Sequence, residues 1–252
     1  MQKDYCFLDR VRIDRGINKC KAAFLDVYSN DKWKAISCLN DSRITFPCLY
    51  VLANNIEVLN IEGFLSSRNK CALKIKNRIQ LRSRYYYGED ISANDKRAVY
   101  PVYRWIFETG HEEDGMDDGY EAVMDAVVSV LVDIYKDNSI LPAAADMIFS
   151  RNRKGHYTHD LLWAFFRSST PEALKLIAER ICSSNQQDAD LACHLLNIEA
   201  PNAGLNLEDR QKQYQDYLKW LNENAQSLNF TGESFQYSSN PIICRVKQEG
   251  SE

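Results

Sequence analysis

The amino-acid sequence predicts a mainly α protein of stacked antiparallel helical hairpins, with a smaller α+β part at the amino end. Three observations carry that expectation. Only ten glycines and six prolines occur in 252 residues, too few for a turn-rich sandwich and in keeping with long helices. From Ser92 to Leu228 apolar residues recur at helical spacing. Between Leu73 and Tyr85, by contrast, apolar and basic residues alternate, the period of a half-buried strand. With 45% apolar and 26% charged residues, the chain is neither a disordered tail nor a low-complexity array, and it is long enough to bury a core.

The amino-terminal part, 1–91, reads as helices over Ile17 to Tyr28 and Asp31 to Leu39. Phe46 to Ile61 is apolar with an Asn54-Asn55 interruption, and fits two short strands or a broken helix. In the alternating stretch, odd positions carry Leu73, Ile75, Ile79, Leu81 and Tyr85. Even positions carry Lys74, Lys76, Arg78, Gln80, Arg82 and Arg84. A strand is the preferred reading, with a helix burying Ala72, Ile75 and Ile79 as the alternative.

The second part, 92–228, begins with a helix started by Ser92 and Asp95, in which Pro101 is expected to fall in the first turn. A polar stretch from Gly110 to Gly119 follows. Tyr120 to Tyr135 is then apolar nearly all round, with Glu121, Asp125, Ser129 and Asp133 as its narrow wet stripe, so it should be central to the fold. Leu141 to Phe149 and Asp160 to Phe166 give two more helices. Thr170-Pro171-Glu172 is a well-formed helix start, with a capping hydroxyl, proline at the first position and an early acid. Further helices run from about Asp188 to Ile198 and, after a loop at Pro201 to Leu205, from Asn206 to about Leu221. The tail, 229–252, holds three aromatics and is expected to dock on the body.

Laying Asp160-Leu161-Leu162-Trp163-Ala164-Phe165-Phe166 over Asp190-Leu191-Ala192-Cys193-His194-Leu195-Leu196 matches the acid and most apolar positions. Two hairpins of this kind are the pattern of stacked helical repeats. From about 139 to 199 the chain resembles the HEAT and armadillo type of α-solenoid, through period and apolar pattern without repeat-specific signature residues. That resemblance implies an extended surface for binding a protein or nucleic acid.

Charge is divided unevenly. Met1 to Arg104 holds 19 Lys/Arg against 11 Asp/Glu, and Trp105 to Glu252 holds 12 against 24. Such a split bears on partners and association; the two parts either attract each other internally or leave the basic part for an external partner. The eight cysteines, Cys6, Cys20, Cys38, Cys48, Cys71, Cys182, Cys193 and Cys244, include no two separated by two to four residues, which excludes the paired spacing of a zinc finger. With no signal-like apolar core after Met1 and no long apolar run, a cytoplasmic protein with reduced cysteines and no membrane span is expected.

The basic segment is the most specific candidate for binding. Arg68, Lys70, Lys74, Lys76, Arg78, Arg82 and Arg84 carry seven positive charges with no acid between them, and Tyr85 and Tyr86 follow. On a strand, five cations would share one face beside tyrosines, which suits a phosphate backbone or an acidic protein surface; a solvated outer face is the plain alternative. His111 lies in an acidic stretch whose spacing does not fit a calcium loop. His156 and His159 have the His-X-X-His spacing of some metal sites, but sit at a loop-to-helix junction where Thr158 reads as the cap. These three histidines are the weak metal candidates; no cofactor and no catalytic set is predicted. Phosphate-loop, nucleophile-elbow and zinc-protease motifs are absent. The sequence therefore reads first as a binding or scaffold protein for another protein or a second copy of itself. Nucleic-acid binding through 68–84 is the alternative, and a metal-dependent hydrolase comes third.

Overall fold

The computed structural model describes residues 4–81, 93–198, 207–226, 228–230 and 244–246. Those residues are mainly helical. The chain divides into two compact units, Met1–Val127 and Val128–Glu252, so the boundary falls at 127/128 and not at the expected 91/92. The reason is packing. The helix after residue 92 closes against helices of the amino-terminal unit and belongs with them.

In the first unit α1 (Phe7–Arg15) and α2 (Ile17–Asn30) form a hairpin about Gly16, whose φ of +86° is a conformation that glycine adopts without strain. Asp31 caps α3 (Lys32–Leu39) by accepting from the Lys34 N–H at 3.0 Å. α4 (Phe46–Val58) is one continuous helix, neither two strands nor a broken helix: Pro47 sits at its start, and Asn54 and Asn55 occupy its wetter side.

α5 (Ser67–Leu81) corrects the strand expected from the alternation. The described residues from 4 to 81 hold no strand, so this part is not α+β there. Its buried set, Asn69, Ala72, Leu73, Ile75 and Ile79, follows helical spacing. Lys, Leu, Arg, Gln and Ala are also strong helix formers, whereas few residues here are β-branched. Asn69 is completely buried and donates to the Leu39 carbonyl at 2.7 Å, which fixes the inner face.

α6 (Ala93–Gly110) packs on α4 and α5. Pro101 lies inside this helix and not in its first turn; it is exposed, so water can satisfy the carbonyl that its missing N–H leaves free. An aromatic cluster joins the helices. The Phe46 ring stands 6.3 Å from Trp105 and 5.8 Å from Tyr120, and Tyr50 meets Tyr120 edge-on at 5.0 Å. The Tyr120 hydroxyl donates to the Gly110 carbonyl at 2.9 Å, and a Cβ on Gly110 would stand 2.6 Å from the Tyr120 hydroxyl oxygen, so any side chain there would have to displace that buried ring. α7 (Asp118–Ser129) runs into a π-helical turn at Val130–Ile134. Val123 to Val128 and Val130 to Val132 are buried, which fits a central helix. The expected wet stripe is narrower still, because Glu121 and Asp125 are buried too and only Asp133 of its four members is exposed.

In the second unit α8 (Leu141–Lys154) packs against α9 (His159–Phe166), α10 (Pro171–Ala178) and α11 (Gln186–Leu196). Thr170 caps α10 by accepting from the Ala173 N–H at 3.4 Å, with Pro171 in the first position, as expected. Thr158 takes the cap position of α9, but its hydroxyl makes no capping bond. α12 (Leu207–Asn224) packs on α10 and on the 3-10 turn Glu179–Cys182. In the tail, β1 (Leu228–Phe230) pairs antiparallel with β2 (Cys244–Val246), Asn229 opposite Arg245. The intervening tail residues, the Pro201–Leu205 loop and the cap positions Ser92 and Asn206 lie outside the described residues.

Candidate functional site

Folding 67–81 as a helix splits the basic set. Residues two apart in a helix point about 160° apart, so Lys74 and Lys76 cannot share the face that a strand would give them. Lys70, Lys74 and Arg78, at i, i+4 and i+8, line one outward ridge, with Leu81 at its end. Lys74 and Arg78 are exposed, Lys70 is half-buried, and Leu81 is 86% exposed. None of the described carboxylates forms an ion pair with these three cations.

The other two described cations face inward. The Arg68 guanidinium lies 4.3 Å from the centre of the Trp105 ring and donates to the Ser42 carbonyl at 3.1 Å. Lys76 lies 5.8 Å from the centre of the Tyr50 ring and donates to Asn77 Oδ1 at 3.2 Å. Burial lowers the pKa of Lys76, against the opposing pull of Glu57 and Asp117. Arg68 and Lys76 are therefore structural straps. Arg82, Arg84, Tyr85 and Tyr86 lie outside the described residues.

A second feature was not expected from the sequence. Asp9, on α1 and wholly buried, is the hub of a polar network at the amino end of α4. Its carboxylate accepts from the Thr45 N–H at 2.9 Å, the Thr45 hydroxyl at 2.5 Å, Arg12 at 3.3 Å and the Cys6 thiol at 3.2 Å. Thr45 does not cap α4 with its own side chain. Asp9 meets that need from another helix, where the α4 dipole also favours a negative charge. Thr109 completes the cap by accepting from the Phe46 N–H at 3.0 Å. Arg12 reaches on to Glu113 at 3.2 Å. The basic and acidic stretches of the sequence therefore meet here inside one unit, while the α5 ridge stays on the outside. Cys6, Asp9 and Arg12, spaced three apart, are the only trace of the hub in the sequence; its other partners come from 36 and more residues away.

Beside the hub lie two buried thiols. Cys20 of α2 and Cys48 of α4 approach to 4.0 Å between sulfurs, and Cys20 also donates to the Leu8 carbonyl at 3.5 Å. The hydrogen bond with Cys48 lowers the pKa of Cys20 against burial, helped by the Arg12 charge. The same bond, then burial, raises that of Cys48. Burial pushes the Cys6 thiol up to about 12. The seven described cysteines are free thiols.

The histidines stand apart. The His111 ring stacks on Phe107 with centroids 5.2 Å apart, and its Nδ1 lies 3.0 Å from the Phe107 carbonyl. His156 is exposed. His159 is also exposed, with Tyr157 and Trp163 rings on either side at 5.9 and 5.7 Å. Among the described residues, no three His, Cys, Asp or Glu side chains stand close enough to share a metal ion. Among them too, no helix is long and apolar enough to cross a membrane.

No family model, curated protein or solved structure matches the chain.

Proposed function

We propose that this chain is a non-catalytic binding protein whose amino-terminal unit engages an acidic segment of a protein partner through the outer face of α5. The observation that supports this reading is that face itself: Lys70, Lys74, Arg78 and Leu81 on one ridge, with no acid anywhere in Ser67–Leu81. Successive cations rise about 6 Å along the axis, the repeat of i, i+4 carboxylates on a partner helix. Leu81 adds an apolar contact at the end of the row. Three charges make a short row, whereas strong duplex binding draws on about six to ten phosphate contacts, so the acidic protein is the preferred partner. Under the same proposal the second unit is a pair of stacked helical repeats. Support comes from the starts of α8 at Leu141 and α10 at Pro171, which preserve the spacing seen in the sequence.

The test is fluorescence anisotropy of the full chain with two labelled probes. One is a helical peptide carrying Glu at i, i+4 and i+8 with a terminal Leu; the other is a twenty-nucleotide oligothymidine. The proposal requires saturable binding of the peptide that Lys74→Glu with Arg78→Glu weakens at least tenfold while the fold is retained. Tighter binding of the oligonucleotide, falling steeply with salt, would overturn it in favour of nucleic acid. Sedimentation that shows dimers lost on the same charge reversal would place a second copy of this chain on the ridge.

A further inference from the structure

We infer that Cys20 and Cys48 form a redox-active pair that closes to an internal disulfide when peroxide reaches the amino-terminal unit. The pair is set by geometry. Two helices, α2 and α4, hold the sulfurs 4.0 Å apart, and both side chains are fully buried. Bond formation needs an approach of about 2 Å, within reach of side-chain rotation and small helix shifts. Cys6 points its thiol at the Asp9 carboxylate instead.

The two members are not equivalent. Cys20 carries the lowered pKa and lies under the influence of the Arg12 charge, so it is the attacking thiolate. Cys48, buried and raised, is the resolving thiol. Cys20 sulfur attacks one peroxide oxygen; the O–O bond breaks, and the departing hydroxide takes up a proton to become water. Cys20 is then a sulfenic acid. Cys48 sulfur attacks the Cys20 sulfur, the S–O bond breaks, and the hydroxide leaves with the Cys48 proton as a second water. Two thiols are oxidised and one peroxide is reduced to two waters. Burial makes access depend on local opening of the α1–α2 hairpin, so the reaction is slow, and its selectivity comes from proximity. The half-buried thiols Cys38, Cys71 and Cys182 have pKa values raised by burial.

The experiment treats the full chain with hydrogen peroxide, blocks remaining thiols in denaturant, and maps the cysteines by mass spectrometry. The expected product has lost two hydrogens and contains one cross-linked peptide joining Cys20 to Cys48, which dithiothreitol restores. In Cys48→Ser the expected product is a Cys20 sulfenic acid trapped by dimedone. If that variant does not fold, the mapping of the unaltered chain still decides. Cys20 and Cys48 both recovered as free thiols after Cys38 or Cys71 has been oxidised would overturn the inference. So would over-oxidation of Cys20 to a sulfinic acid with Cys48 left free.

Discussion

Each of the two units holds a carboxylate buried against an arginine, and the two are built differently. In the amino-terminal unit Asp9 and Arg12 are both closed off from water, their side chains 0% and 5% exposed. The network stitches α1 to Thr45 and to Glu113, segments distant in the chain. In the carboxy-terminal unit Asp188 is nearly as buried, but its partner Arg153 is 38% exposed. Arg153 donates to both oxygens of Asp188, at 3.0 and 2.8 Å, and Ser183 adds a third bond from the turn just before α11. Asp9 is thus a junction that holds three segments together, and Asp188 is a clip at the edge of an apolar hairpin. The cost of removing a carboxylate should follow that difference.

The largest effect is expected for Asp9→Ala. It leaves the Thr45 N–H, the Thr45 hydroxyl and the Cys6 thiol without their acceptor, and Arg12 with Glu113 alone. Breaking a buried pair in this way costs about 3–5 kcal/mol. Urea unfolding with the amino-terminal aromatic cluster as reporter reads it, and a loss under 1 kcal/mol would mean that the hub is not a junction. Asp188→Ala should cost less, about 1–2 kcal/mol, because Arg153 regains water when its partner goes. Equal losses at the two sites would erase the contrast. Thr170→Ala ranks third at about 1 kcal/mol, the usual worth of a hydroxyl cap, read as a shift in the thermal midpoint.

That contrast also explains what was legible in the sequence. The carboxy-terminal unit announces itself through local signals: the Thr170-Pro171 start and the apolar faces of α8 to α11. Each can be read within one or two turns of helix. The amino-terminal unit depends on pairings across distance. Nothing near Asp9 says that it caps a helix beginning 37 residues later, and nothing near Trp105 says that Arg68 will lie over it. α5 failed for a further reason. Leu73, Ile75 and Ile79 satisfy a period of two and a helical face at once; the burial of Ala72 and the exposure of Leu81 separate the two. The cationic character of the site was visible; its division into an outward ridge and two inward straps required the helix.

The smallest expected effect sharpens the comparison from the solvent side. Asp41 is a carboxylate paired with arginine as Asp9 is, yet it sits at the surface, where Arg43 donates to both its oxygens at 3.0 and 2.8 Å. Those bonds hold the Asp41 carboxyl at about 2, below its ordinary 3.8. A depressed carboxylate contributes stability that is fully present above about pH 4 and is lost as pH falls through 2. Solvent screening keeps that contribution small. Carbon-detected NMR titration of the side-chain carboxyl should give a midpoint near 2, returning toward 3.8 in Arg43→Ala with little change in stability at neutral pH. An ordinary midpoint in the unaltered chain would show that the pair does not persist in solution. A large loss of stability in Arg43→Ala would show that exposure is not what separates Asp41 from Asp9, and the burial argument for the hub would fall with it.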